Sequence, residues 1–121
     1  MKPASLARAL GLARIAFGLG LIAQPERLAT PWIGREAKGP GAQVAVRGLG
    51  ARDLVLGAGA AVSSGGDRQR WLAAGIVGDV ADLTATLAAG RALPLRGRVL
   101  VGTVASAGIA MGGAALAGLR R

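Results

Sequence analysis

The sequence predicts an all-α fold: an antiparallel four-helix transmembrane bundle that forms one domain over residues 1–121. The first observation is composition, because 52% of the residues are hydrophobic and Gly occurs 21 times, while Phe17, Trp32 and Trp71 are the only aromatic residues. Soluble cores depend on large aromatic side chains, whereas helices in lipid associate through small residues. The second observation is a set of four apolar stretches separated by turn residues. They predict helices at about residues 5–23, 42–62, 70–89 and 97–119.

The first predicted helix, at about residues 5–23, is interrupted by Arg8 and Arg14. Arg8 lies near the end of the stretch, where its side chain can reach the interface, but Arg14 lies close to the middle. The basic start resembles a signal peptide, yet Arg14 breaks the apolar run and no small-residue cleavage site precedes Pro25. We therefore expect a retained helix. Residues 24–41 contain three prolines and mixed charges, which predicts the longest loop of the chain.

The second and third predicted helices contain charges at positions that a membrane span usually avoids. The stretch 42–62 includes Arg47, Arg52 and Asp53, and the stretch 70–89 includes Asp79 and Asp82. Each such charge near the centre of a bilayer costs about 2.5–3.5 kcal/mol on insertion scales. The stretch 42–62 is the least hydrophobic of the four, so we expect it to need partner helices in order to insert.

The fourth helix contains the clearest membrane span, because Val99 to Leu119 has no charged residue. This length matches the ~20 residues that cross a bilayer core. Within it, Gly108 and Gly112 form a G-x-x-x-G pair, which predicts a close-packing face through which a homo-oligomer could form. The general abundance of glycine is an equally good explanation of this pair.

The charge distribution favours a membrane over nucleic acid, although the net charge is +9. The basic residues cluster where apolar runs end, which is typical of side chains that flank membrane spans. We expect a multi-pass protein of the cell membrane, with a bilayer carrying anionic headgroups as its partner and no nucleic acid. The predicted topology places equal numbers of basic residues on both sides, and we expect cytoplasmic termini because that arrangement is commoner. Trp32 and Trp71 are expected at the headgroups of opposite faces.

Aligning the antiparallel helices by depth predicts a polar core of ionisable residues inside the bundle. Arg14, Arg52, Asp53 and Asp79 fall in one middle layer, and the favoured ion pairs are Arg14 with Asp53 and Arg52 with Asp79. Three positive and three negative charges would then neutralise one another, which lowers the cost of burying them. The full predicted set is Arg14, Arg47, Arg52, Asp53, Asp79 and Asp82, with Arg47 and Asp82 nearer the first loop.

One segment resembles a known family. The residues from Arg47 to Gly57 follow the pattern R-G-x-x-x-R-D-x-x-x-G, and a D-x-x-D pattern formed by Asp79 and Asp82 lies downstream. These patterns resemble the small four-helix membrane proteins of the DUF4267 family and, more loosely, DoxX-type proteins. The resemblance covers the middle half of the chain. The resemblance implies a four-helix membrane fold and makes these charged residues candidates for a functional role. It does not imply a particular reaction.

Several functions stay open. The buried charges either hold the helices together or line a pocket for a small hydrophobic ligand. An alternative is a membrane-embedded enzyme of the isomerase or cyclase type, in which Asp53, Asp79 or Asp82 provides acid and base catalysis on a lipid, quinone or isoprenoid. A small transporter fits less well, because the first helix carries Arg14 instead of a carboxylate and no Tyr can form a cation cage. The absence of Cys and His excludes thiolate and imidazole chemistry, and neither a metal nor another cofactor is expected.

Overall fold

The computed structural model describes residues 1–121 and contains only helices and short connections. The all-α prediction is confirmed, and each of the four long helices begins two to five residues before its predicted start. The structure adds a fifth, shorter helix. The five are α1 (Pro3–Ala23), α2 (Pro25–Ile33), α3 (Pro40–Val62), α4 (Gly65–Ala89) and α5 (Leu95–Leu119).

Prolines mark the starts of four helices. Pro3, Pro25 and Pro40 occupy the first turn of α1, α2 and α3, and Pro94 directly precedes α5. Backbone N–H groups in the first turn of a helix have no carbonyl acceptor within the helix, so proline loses no hydrogen bond there. The fixed φ of proline is also close to the helical value. The same residues that indicate turns in the sequence therefore also begin helices.

The prediction of one long loop over residues 24–41 is wrong in its larger part. Helix α2 occupies Pro25–Ile33, and a 3-10 turn follows at Gly34–Lys38. Pro31 removes only one backbone hydrogen bond from this short helix. Burial of Ala29 and Ala37 compensates, because α2 packs against α1, α3 and α5 and closes one end of the bundle.

The long helices form an antiparallel bundle in the order α1, α3, α4, α5 around the ring, with α5 also contacting α1. The closest approach is between α1 and α3. A Cβ atom on Gly18 would lie 2.5 Å from the carbonyl oxygen of Gly50, and one on Gly11 would lie 2.6 Å from that of Gly57. The two glycines of each helix are seven residues apart, which is the repeat of helices that pack along a shared seam.

The buried apolar residues form two small clusters, one toward each end of the bundle. Ala7, Ala60, Leu72 and Ala115 pack together where the chain termini meet the connection between α3 and α4. Leu21, Ala29, Ala37 and Val46 pack together at the opposite end, beneath α2. The middle of the bundle lies between these clusters, and it is there that the charged residues meet.

Three helices of the chain are long and apolar enough to cross a membrane: Pro3–Ala23, Gly65–Ala92 and Leu95–Leu119. Helix α3 is not among them, in agreement with the low hydrophobicity expected of residues 42–62. It has the most extensive contacts with α1 and also packs on α4, so its charged residues can face these two helices.

Candidate functional site

An ion-pair network connects three helices in the middle of the bundle. Arg14 of α1 lies 2.5 Å from Asp79 of α4 and 3.6 Å from Asp53 of α3. Arg52 of α3 donates to both carboxylate oxygens of Asp82, at 3.0 and 2.7 Å, and lies 3.3 Å from Asp53. Asp53 is the most buried of the five, with 6% of its side chain exposed, and it bridges the two guanidinium groups.

This network corrects two details of the predicted pairing. Arg14 does contact Asp53, but its shorter bond is to Asp79, so Arg14 rather than Arg52 is the partner of that carboxylate. Arg52 instead pairs with Asp82, in a two-point contact that the planar guanidinium favours. The four residues of the predicted middle layer do lie close together along the bundle axis. Which Asp faces which Arg depends on how α4 is rotated about its own axis.

A repeated pattern in α4 explains the pairing. Gly75 lies four residues before Asp79, and Gly78 lies four residues before Asp82, so each pair shares one face of the helix. The guanidinium of Arg14 lies on Gly75 and donates a 3.1 Å hydrogen bond to its carbonyl oxygen, while that of Arg52 lies beside Gly78. A G-x-x-x-D pattern thus forms a binding site for one guanidinium, with space over the Gly and a carboxylate from the Asp. Helix α4 contains two such patterns, which overlap in the sequence.

The α1–α3 seam explains why Arg14 and Asp53 meet. Arg14 lies between Gly11 and Gly18, and Asp53 occupies the equivalent position between Gly50 and Gly57. Because these glycines bring the two backbones together, the charged side chains at the centre of the seam are held close to each other. Paired glycines on either side of a charge are a signal in the sequence that could have predicted this contact.

Arg47 does not belong to this network. Its side chain is exposed, and its Nε atom donates to the carbonyl oxygen of Ile22 near the end of α1. The expected balance of three positive and three negative charges therefore does not occur. The network contains two guanidinium groups and three carboxylates, a surplus of one negative charge when all are ionised. The three carboxylates do not form a group that could hold a metal ion.

The network forms part of the wall of an apolar cavity of about 510 Å³. Four of its five members, Arg14, Asp53, Asp79 and Asp82, line the cavity, whereas Arg52 does not. Of the 26 lining residues 18 are hydrophobic, so a molecule inside would meet mostly apolar surface and one charged region. A cavity of this size is in the range that holds small organic ligands.

The cavity opens sideways between α1 and α5. The lining residues Phe17 of α1 and Val104 and Met111 of α5 are 50%, 59% and 43% exposed, and they mark the rim of the opening. Elsewhere α3 and α4 form the wall, and Trp32 of α2 lies at one end. The rim is apolar, so the route into the cavity suits molecules that already reside in an apolar environment.

Three polar contacts outside the network were not predicted from the sequence. Trp32 donates through Nε1 to the hydroxyl of Thr86, which is buried, and both tryptophans line the cavity. Arg68, which looks like an ordinary flanking charge, is buried and donates to the carbonyl oxygens of Ala60 and Ala61 at the end of α3. Nothing in the sequence distinguishes Thr86 from other helical residues.

Gly108 and Gly112 pack within the chain. A Cβ atom on Gly108 would collide with the carboxylate of Asp79, and one on Gly112 would lie 3.1 Å from the side chain of Ile76. The pair therefore brings α5 close to α4 beside the network. Association of two copies through these glycines stays a prediction.

The fold and the site define an all-α protein with three candidate membrane spans and buried Arg/Asp ion pairs. No protein-family model, curated protein or solved structure matches the chain. The resemblance to the DUF4267 family thus stays a prediction, and function has to be inferred from the geometry of the network and the cavity.

Proposed function

We propose that this chain is a multi-pass membrane protein that binds a small hydrophobic molecule in the cavity between α1 and α5. The observation that carries the proposal is the position of the ion-pair network on the cavity wall. A network that served only to join helices would be enclosed by them on every side. Here four charged residues border an open volume of about 510 Å³, where a ligand can reach them.

The surface of the chain supports the membrane location. Only 23 of the 121 residues are buried, and large apolar side chains are exposed on all four long helices, among them Leu12, Val55, Val77 and Val99. An apolar surface of this extent in a soluble protein would be prone to aggregation, whereas lipid covers it without cost. We place α3 in the membrane as a fourth helix shielded by α1 and α4, with the termini on the cytoplasmic side and the flanking basic residues at anionic headgroups.

Extraction of membranes tests this location. After washing with high salt and then with alkaline carbonate, the chain is expected to stay in the membrane fraction, because its apolar helices are held by lipid rather than by charge. Release by either wash would contradict the membrane assignment and the lipid-facing opening of the cavity.

Ligand binding can be followed through the two tryptophans, because Trp32 and Trp71 are the only ones in the chain and both line the cavity. The protein is purified in a non-ionic detergent and titrated with a decyl nitroxide that has a hydroxyl headgroup. The nitroxide quenches the emission of nearby tryptophan residues. We expect saturable quenching, because the probe occupies a limited site beside the indole rings.

Two variants of α5 separate cavity binding from uptake into the micelle. Val104→Phe enlarges a side chain that lines the opening and is 59% exposed, whereas Val99→Phe makes the same change at a position that is 60% exposed but does not line the cavity. Saturable quenching should be weakened in Val104→Phe and retained in Val99→Phe. Identical quenching curves for both variants and the unaltered chain would contradict the proposal.

A further inference from the structure

We infer that the cavity selects an organic amphiphile with a single positive charge over neutral or anionic molecules of similar size. This inference rests on the proposed function and specifies the class of its ligand. It follows from the charge of the cavity wall, from the bonding of its guanidinium and carboxylate groups, and from the aromatic residues around them.

The wall has a surplus of negative charge. The network consists of Arg14, Arg52, Asp53, Asp79 and Asp82, and Arg52 does not line the cavity. A ligand therefore faces one guanidinium and three carboxylates. Helices α2 and α5 contribute no charged residue to the lining that could offset them. A surplus charge in an apolar environment is costly, and a cationic ligand would remove that cost.

Both guanidinium groups already pair with carboxylates of the network, which argues against an anionic ligand. Nε of Arg52 is buried without a hydrogen-bond partner, but Arg52 does not line the cavity. Arg14 bonds the carbonyl oxygen of Gly75 and the carboxylate of Asp79, and its other nitrogen faces Asp53. Arg52 is held by both oxygens of Asp82. A phosphate or carboxylate headgroup would have to displace one of these partners and leave another carboxylate unpaired.

The carboxylates, in contrast, retain capacity for a cation. The ion pairs use one oxygen of Asp53 and one oxygen of Asp79, so each has a second oxygen without a partner in the protein. A carboxylate oxygen without a partner attracts a cation by charge alone, so the cation need not donate a hydrogen bond. An ammonium group in the cavity could therefore pair with these oxygens while Arg14 and Arg52 keep their own contacts.

All three aromatic residues of the chain line this one cavity. Phe17 lies at the opening, and Trp32 and Trp71 are contributed by α2 and the start of α4. The face of an aromatic ring attracts cations, and indole does so most strongly. Since most other lining residues are aliphatic, a ligand with an alkyl part and a cationic head matches the wall better than a metal ion or a fully polar cation does.

Three probes of equal chain length test the selectivity. Decyl nitroxides with trimethylammonium, hydroxyl and carboxylate headgroups are titrated against the protein in a non-ionic detergent, and binding is taken as the tryptophan quenching that Val104→Phe weakens. We expect the cationic probe to bind about tenfold more tightly than the neutral one, which corresponds to about 1.4 kcal/mol, and the anionic probe to bind most weakly.

A matched pair of variants locates the origin of the selectivity. Asp82→Asn removes one carboxylate from the network, so two guanidinium groups then face two carboxylates. Asp67→Asn makes the same change in net charge on the same helix, but at an exposed residue that pairs with Arg70. The preference for the cationic probe should fall in Asp82→Asn and persist in Asp67→Asn. Selectivity is taken as the ratio of cationic to neutral probe binding within each variant, so a general change in affinity does not affect the comparison.

The outcomes separate this inference from the proposed function. Equal binding of the three probes to the unaltered chain, or a preference for the anion, would overturn the inference while leaving a ligand cavity in place. An equal loss of selectivity in both variants would assign it to net charge rather than to the network and would also overturn the inference. If no probe gives quenching that Val104→Phe weakens, the proposed function itself fails. The comparison of probes on the unaltered chain does not depend on the folding of any charge variant.

Discussion

Replacement of Gly75 by Ala tests how the network is held in place. Arg14 lies directly on this glycine, and a Cβ atom there would be 3.1 Å from Nη2, 3.2 Å from Nε and 3.3 Å from Cζ of the guanidinium. These separations are shorter than ordinary contacts of about 3.5–4.0 Å, so Arg14 must move away from α4. The movement would lengthen its hydrogen bond to the carbonyl oxygen of Gly75.

The neighbouring Gly78 provides a control in the same helix. A Cβ atom at Gly78 would lie 3.5 Å from Cζ of Arg52 and 3.6 Å from a methyl group of Leu56, which are ordinary distances. Both substitutions replace Gly by Ala in α4 and gain similar helix propensity, about 1 kcal/mol in soluble hosts. This gain cancels in the comparison. The difference that remains is the hydrogen bond of Arg14, and a bond to a charged group contributes about 1.5–3 kcal/mol.

We therefore expect Gly75→Ala to be less stable than Gly78→Ala, by at most the roughly 1.5–3 kcal/mol that complete loss of the bond would cost. The free energy of unfolding can be measured by titrating the protein in non-ionic micelles with sodium dodecyl sulfate and following helicity by circular dichroism. Equal stability of the two variants, or lower stability of Gly78→Ala, would refute the account of Arg14 lying against Gly75.

Two further pairs of variants test the helix seam and the end of α3 by the same titration. Gly50→Ala should cost about 1–3 kcal/mol of overpacking, because the new Cβ atom would lie 2.6 Å from the carbonyl oxygen of Gly18, whereas Gly48→Ala has nothing within 4 Å and should not destabilise the chain. Arg68→Gln should cost about 1.5–3 kcal/mol, because the buried guanidinium bonds the last carbonyl groups of α3. Arg70→Gln, on the exposed face, should have no measurable effect. If the two variants of a pair lose the same free energy of unfolding, the stabilising role given to that contact is wrong.

Hydrophobicity and helix-end signals predicted most of the fold. The uncharged stretch Val99 to Leu119 lies within α5. The turn signal at Gly65 to Asp67 falls in the first turn of α4, directly after the break between α3 and α4, and the signal at Gly90 to Pro94 falls between α4 and α5. Helix α2 was missed because three prolines in residues 24–41 indicate a loop by composition. Their positions decide otherwise, since Pro25 begins a helix whose one face is buried against the bundle.

The sequence predicted the positions of the charged residues along the bundle axis, but not the rotation of each helix about its own axis. Depth follows from counting residues along antiparallel helices, and it placed Arg14, Arg52, Asp53 and Asp79 in one layer. Which partner each charge faces depends on how each helix is turned about its axis, and the small residues of its interfaces determine this. Gly75 and Gly78 therefore contained the information that assigns Asp79 to Arg14.

Two features depend on tertiary structure that no local pattern reveals. Arg47 lies only five residues before Arg52 in the same helix, yet its side chain is exposed and bonds the end of α1, which leaves the network with unequal charges. The cavity is enclosed by residues from all five helices, and their arrangement around it has no signature in any one helix. Its lining by both tryptophans could not be deduced from their positions near helix ends.

We expect one small hydrophobic molecule to bind per chain, in the cavity beside the ion-pair network. Native mass spectrometry of the detergent-solubilised protein with the decyl trimethylammonium nitroxide measures this directly, because it counts bound molecules per chain. We expect one probe to be retained by the unaltered chain and by Val99→Phe, and a smaller fraction of Val104→Phe to retain it, because the larger side chain narrows the opening. The same number of bound probes on all three proteins would contradict binding in this cavity.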